Sequence, residues 1–210
     1  MKFVTNDSAA GDFANPEPGM ERAVLTRIID QGTQKSRNPE YPDKRRVMLS
    51  FELEQKMADG RPFITNVWLN LSWHEKSKMR KVFEGWRGKP FAAGEEFVLK
   101  KTLGKSALLN ITVNDRGYAD VVSVNPLPKG MEPLPATGEL VYLDLDEDYD
   151  AAAVEALSDK QHEAISATPE YAAYIKNIAA PKSSAPDLAA AKEALLQKHD
   201  DFEPDSSLPF

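Results

Sequence analysis

The residues of this chain whose types could do chemistry are rings and cations. Trp68 stands in the run Phe63-Ile-Thr-Asn-Val-Trp-Leu-Asn-Leu71. Phe63, Val67, Leu69 and Leu71 fall on one side of it, and Asn66, Trp68 and Asn70 on the other. That period of two predicts a half-buried strand with its indole turned away from the core. Lys35, Arg37, Lys44, Arg45 and Arg46 flank Tyr41 in and after a polar stretch with two prolines. Tyr118 follows the turn Asn114-Asp-Arg-Gly117, and Trp73, Lys76 and Arg80 follow the Trp68 run. A wet ring beside cations can stack a base while the cations meet phosphates. A solvated loop and a packed ring are the ordinary alternative, and Trp73 fits packing as well as stacking. Trp86 lies on an apolar helical stripe, which predicts a core residue.

Other chemistries fit less well. Gly104-Lys105-Ser106 looks like the end of a phosphate-cradling loop, but Leu99 stands where the opening glycine belongs, and a strand follows where a helix should. Asp144, Asp146, Asp148 and Glu155 occupy calcium-loop positions one, three, five and twelve, yet Tyr149 fills the position that needs glycine. An acidic surface segment is expected there. His74, His162 and His199 are not spaced as metal ligands, and none stands near a convincing nucleophile. The reading is a protein that is not an enzyme, with no cofactor and no metal.

The 210 residues suit one core of ordinary size with extensions. No cysteine is present, so disulfides and thiolate metal sites are excluded and a reducing compartment fits. No apolar run has the length of a membrane span and no signal-peptide core opens the chain, so a cytoplasmic location is expected. The formal net charge of −7 hides a division. Residues 21–130 carry 20 Lys and Arg against 13 Asp and Glu, a net +7, whereas residues 131–210 carry 5 against 17, a net −12. A basic body with an acidic tail points to nucleic acid on the body.

Several elements must position those groups. Residues 1–20 show no periodicity and are expected to form a leader. Glu21 to Gln31 predicts a strand apolar on both faces, and Gly32 to Lys44 a long loop. Arg46 to Lys56 alternates cleanly, with Val47, Leu49, Phe51 and Leu53 inward and Arg46, Met48, Ser50, Glu52 and Glu54 outward. Asp59-Gly60 turns it back into the Trp68 strand. Ser72 and Glu75 have the spacing of a capping box. After them Met79, Val82, Phe83 and Trp86 make one stripe of a helix that Gly88 can stop. Phe97 to Leu103 fits a strand or a helical turn equally. Ala107 to Val113 and Tyr118 to Val124 predict two further strands, and a run of prolines from Pro126 ends the sheet.

The fold expected is mainly β: a five-stranded barrel of the OB type with a helix after strand 3, plus an acidic, partly helical C-terminal extension. A sandwich or an open sheet would show similar periods. The expected divisions are 1–20, 21–130, 131–180 and 181–210. In the extension, Glu139 to Leu145 fits an added edge strand, and Ala151 to Leu157, Thr168 to Ala180 and Leu188 to His199 fit helices.

The end of the sequence is its most specific feature. Asp200, Asp201, Glu203 and Asp205 precede Leu208-Pro209-Phe210. An aromatic behind a run of acids can enter an apolar pocket with a basic rim. The pattern resembles the acidic tip of bacterial single-stranded-DNA-binding proteins. That resemblance implies recruitment of replication and repair proteins through Asp200, Asp201, Asp205, Leu208, Pro209 and Phe210, and competition with DNA for the body's own basic groove. Leu71 to Trp86, Leu103 to Asn110, Val121 to Met131 and Thr168 to Tyr171 look like a group of phage-encoded OB-fold proteins treated as single-stranded-DNA-binding. The body departs from the cellular proteins, so their tetrameric assembly is not carried over, although a homo-oligomer is compatible.

The functional expectation is therefore a protein that coats and protects single-stranded DNA in phage replication and recombination and recruits partners through its tip. Ring contacts are expected from Trp68, Tyr41, Tyr118 and Trp73. Phosphate contacts are expected from Lys35, Arg37, Lys44, Arg45 and Arg46, then Lys76 and Arg80. The alternative is an acidic interaction module that mimics DNA or inhibits a host nucleic-acid enzyme.

Overall fold

The computed structural model describes residues 15–36, 38–115, 117–147 and 150–179, with side chains described through Lys176. The fold is mainly β. Its sheet contains β1 (Gly19–Gln34), β2 (Lys44–Lys56), β3 (Pro62–Asn70), β4 (Ser106–Val113), β5 (Ala119–Asn125) and β6 (Val141–Leu143). The helices are α1 (Lys78–Arg87), α2 (Ala151–Glu155), α3 (Asp159–Ser166) and α4 (Pro169–Ala179). A 3₁₀ turn at Leu99–Thr102 resolves the ambiguous stretch before β4.

Hydrogen-bonded order along the sheet is β3-β2-β1-β4-β5, all antiparallel. The sheet has six strands rather than the five expected of the body, because β6 from the extension joins it. β6 runs parallel to β1 at Arg27–Ile29, beyond the stretch Gly19–Val24 that pairs with β4. β1 can serve two partners in turn because it is long and bent. Its register against β2 slips between Leu25 and Arg27 and again between Asp30 and Thr33, and such bulges bend a strand. α1 packs against β3 and β5, the two ends of the strand order, whose backbones approach each other there.

In β2, β3 and β4 the inward set follows the alternation through most of each strand, but Leu71, expected inward, is 40% exposed just past β3, and Val113 at the end of β4 is 47% exposed. Val47, Leu49, Phe51, Leu53, Val67, Leu69, Leu109 and Ile111 form one core with the buried stripe Met79, Phe83 and Trp86 of α1. Each such side chain contributes about 1.5–3 kcal/mol on full burial. The Trp86 indole N–H donates to the carbonyl of Ser106 at 3.0 Å, so the ring is buried without an orphaned donor. Gly88 ends α1 in the left-handed region at φ 74°, as expected. The start differs. Ser77, not Ser72, caps the helix, accepting from the Arg80 N–H, while its hydroxyl donates to the Ser72 carbonyl at 2.7 Å. Residues 72–77 thus spend their polar groups on turns, and the helix begins five residues late.

A second apolar layer covers part of the other face of the sheet. Ile29 and Met48 pack there against Val141, Leu143, Leu145, Ala153, Ile165, Tyr171 and Tyr174. Met48, Ser50 and Glu52, expected on an outward face, are therefore 1, 3 and 3% exposed. The buried Glu52 carboxylate accepts from the N–H groups of Thr137 (2.9 Å) and Gly138 (3.4 Å). Gly32 permits a close approach of the two layers. Its φ is +62°, and a Cβ there would stand 2.5 Å from the Thr168 hydroxyl oxygen.

α3 has no counterpart in the sequence expectation, although Ser158 and Gln161 form a full capping box at its start. The expected helix Leu188 to His199 and the N-terminal leader through residue 14 lie outside the described residues. No helix among the described residues is long and apolar enough to cross a membrane.

Candidate nucleic-acid interface

β3 turns Ile64, Asn66, Trp68 and Asn70 away from the core. Across from them on β2 stand Glu52, Ser50, Met48 and Arg46 in register. α3 supplies the remaining wall with Lys160, Gln161 and Ala164. The result is a groove of about 300 Å³ beside Trp68, which is 50% exposed. A second groove of about 360 Å³ continues along β3 past Ile64, sharing Asn66 and Gln161 with the first. Together they form a trough along the open side of β3.

Gln31 is 2% exposed, and its amide nitrogen has no hydrogen-bond partner among the described residues; the same holds for Nε of Arg46. A buried donor left unsatisfied costs about 1–3 kcal/mol, so two in one groove need an explanation. Asn66 uses its side-chain oxygen to accept from Ser50 Oγ at 2.6 Å. Gln161 uses its own to accept from the Ser158 N–H at 2.9 Å, and its nitrogen meets the Met48 sulfur at 3.4 Å. Among the described residues, Arg46 and Lys160 are the charged residues of this groove, and no carboxylate lines it. The Ile64 end differs, because Glu52 and Glu139 line it with Arg27. A flat ring beside cations can hold a planar base and an anionic oxygen together.

The expected site residues separate into groups. Trp68 and Arg46 share the trough. Tyr41 is 62% exposed on the β1–β2 connection, and Lys35 beside it and Lys44, the first residue of β2, are exposed at the same end of β2 as Arg46. Tyr118, 58% exposed, sits at the β4–β5 turn. That turn lies near Gly19, ten positions along β1 from the Ile29 that pairs with Met48 beside Trp68. Tyr118 and Trp68 are therefore not brought together. Arg37 and the tip residues Asp200, Asp201, Asp205, Leu208, Pro209 and Phe210 lie outside the described residues.

Three expected contacts have other employment. Trp73 is half-buried and stacks on Phe97 at 4.5 Å with rings 5° from parallel, edge-on to Phe91. Arg45 is engaged by carboxylates within the chain. Its fork meets Asp30, which is 5% exposed, and Asp146 at 2.8 Å, with Asp144 at 3.9 Å. The hydrogen bond to Asp30, outweighing burial, holds the guanidinium above its ordinary pKa. Arg80 pairs with Glu84 at 2.9 Å and donates to the Phe91 carbonyl at 3.1 Å. Lys76 is exposed between β3 and α1 and lines neither groove.

Gln31, Asn66, Lys160 and Gln161 were not expected at a site. A signal existed for the last two, since Ser158-x-x-Gln161 announces the start of the helix that carries them. Among known proteins, neither a family model nor a curated sequence matches this chain.

Proposed function

We propose that this chain binds single-stranded DNA along the trough on the open side of β3. A base stacks on Trp68, and the adjoining phosphate meets Arg46 and Lys160. The half-exposed indole beside Arg46 and Lys160, in a groove that no carboxylate among the described residues lines, carries this reading. Each stacked base is worth about 1–3 kcal/mol. Tyr41, Lys35 and Lys44 extend the path beyond the Arg46 end.

The strand order supports a barrel of the OB type. β1 is shared by the β2–β3 meander and the β4–β5 hairpin, α1 falls between β3 and β4, and β3 approaches β5. In the biological role that follows, the protein coats and protects single strands during phage replication and recombination, and its acidic end recruits partner proteins.

Titration with oligo-dT, followed by tryptophan fluorescence, tests the proposal. Quenching is expected, weakening with salt by about 0.7 log units per log unit of salt for each phosphate neutralised. Because Trp73 and Trp86 are packed, the quenching should vanish in Trp68→Phe. Absence of quenching at low salt would overturn the proposal in favour of an acidic DNA-mimic or inhibitor module. Against that module, Asp30, Asp144 and Asp146 converge on Arg45 rather than standing free as a mimic's charges must.

A further inference from the structure

Arg27 and Glu139 bring opposite charges into one groove without pairing. Both line the hollow of about 360 Å³ at the Ile64 end of the trough. Neither enters an ion pair among the described residues. Arg27 is half-buried and places one nitrogen on the Ala156 carbonyl at 2.9 Å. Glu139 is exposed. Glu52, the other carboxylate that lines the hollow, is turned to the N–H groups of Thr137 and Gly138. Ile64 adds an apolar ledge, 53% exposed. It stands four residues before Trp68 on the same side of β3, about 14 Å along the strand. A nucleic acid with one base on Trp68 can therefore set another over Ile64.

A phosphate does not suit this end, because it would meet two carboxylates against one guanidinium. The group that suits it is neutral, with donors for a carboxylate and acceptors for a guanidinium. The bases differ in this respect. Thymine has one ring N–H, flanked by two carbonyl oxygens that a carboxylate repels. Adenine and cytosine each set an amino group beside a ring nitrogen that only accepts. Guanine sets two donors side by side, N1–H and N2–H, and a carboxylate can accept both at once. Its O6 and N7 are the acceptor pair that a guanidinium meets bidentately. We infer that the Ile64 end of the trough is a guanine subsite, in which Glu139 accepts from N1 and N2 and Arg27 donates to O6 and N7. The inference rests on the proposed binding of single strands and adds a base preference to it.

The test compares the full chain's affinity for a short oligo-dT with its affinity for the same oligonucleotide carrying one central dG, at fixed salt. The dG form should bind about 5- to 150-fold more tightly, the discrimination of one bidentate pair. Inosine in place of guanine removes the N2 amino group, and 7-deazaguanine removes the N7 acceptor. Each should lose part of that factor. Glu139→Gln should bring the ratio of the two affinities close to one. The ratio is the readout, because loss of a carboxylate strengthens the binding of any anionic strand. Glu139 is exposed, so the variant should keep the parent's urea midpoint, which shows that it is folded. Equal affinity for the two oligonucleotides would overturn the guanine subsite and leave the Trp68 site standing. Failure to bind either would overturn both. A preference that survives Glu139→Gln, or that inosine keeps in full, would overturn the assignment to Glu139.

Discussion

Gln31 and Trp68 line one groove in opposite states: the amide is buried with its nitrogen unpartnered among the described residues, and the indole is half in water. A fold selected for stability alone would satisfy the first and cover the second. Replacing Gln31 by Leu removes an unsatisfied donor worth about 1–3 kcal/mol of desolvation while keeping a similar volume. The expected result is a urea midpoint equal to or above that of the parent, with oligo-dT affinity unchanged. A fall in the midpoint would show that the Gln31 amide has a partner in solution.

Trp68→Ala should lower oligo-dT affinity by about 5- to 150-fold, the equivalent of one stacked base. Its effect on the urea midpoint should be small, because the ring is half-exposed on the open side of β3. Equal losses of affinity from Tyr118→Ala would extend the path to the β4–β5 turn.

Trp68 was readable from the sequence because alternation is a local property: one strand's own residues say which side is wet. The stripe Met79, Phe83 and Trp86 was readable for the same reason at the helical period. What covers a face is not local. The spacing of Met48, Ser50 and Glu52 says that they share a side. Only the chain a hundred residues later, from Val141 to Tyr174, decides that this side is buried. The charge of Arg45 looked available for the same reason, since its partners Asp144 and Asp146 arrive with that layer. Local rules also competed with one another: Ser72 and Ser77 both suit a cap, and turn hydrogen bonds within residues 72–77 gave the role to Ser77. The cap Ser158–Gln161 was a legible signal that pointed to α3 and to the far wall of the trough.

Arg45→Ala should destabilise by about 3 kcal/mol, the lower range for breaking a buried pair, because it leaves the Asp30 carboxylate inside with two backbone N–H groups and no cation. Arg45→Lys should recover only part of that, since an ammonium cannot bridge Asp30 and Asp146 as the fork does. Urea unfolding measures both. A large loss of DNA affinity at an unchanged unfolding midpoint would mean that Arg45 meets phosphate directly.

Gly32→Ala should loosen the outer layer selectively. The left-handed backbone costs a non-glycine residue about 1–2 kcal/mol, and the added methyl must displace Thr168. Hydrogen exchange should rise in α3 and α4 while β4 and β5 stay protected. Because α3 carries Lys160 and Gln161, oligo-dT affinity should fall as well. Uniform loss of protection across the sheet would mean that the two layers unfold as one unit.

The docking of α4 should weaken in acid through Glu170. Burial opposes its charge, but the Thr33 hydroxyl and N–H both donate to it, the latter at 3.0 Å, and hold its pKa below the ordinary carboxylate value near 4.5. A carboxyl depressed in the folded state adds stability that is fully present above its unfolded pKa, and loses it as pH falls through the lower, folded value. Between pH 7 and pH 5 the contact is therefore constant, and below about pH 4 it fades. Glu170→Gln keeps the shape but removes the charge, so its unfolding midpoint should lie below the parent's at pH 7 and approach it towards pH 3. Parallel pH profiles for the two proteins would show that the Thr33 bonds do not depend on the charge of Glu170.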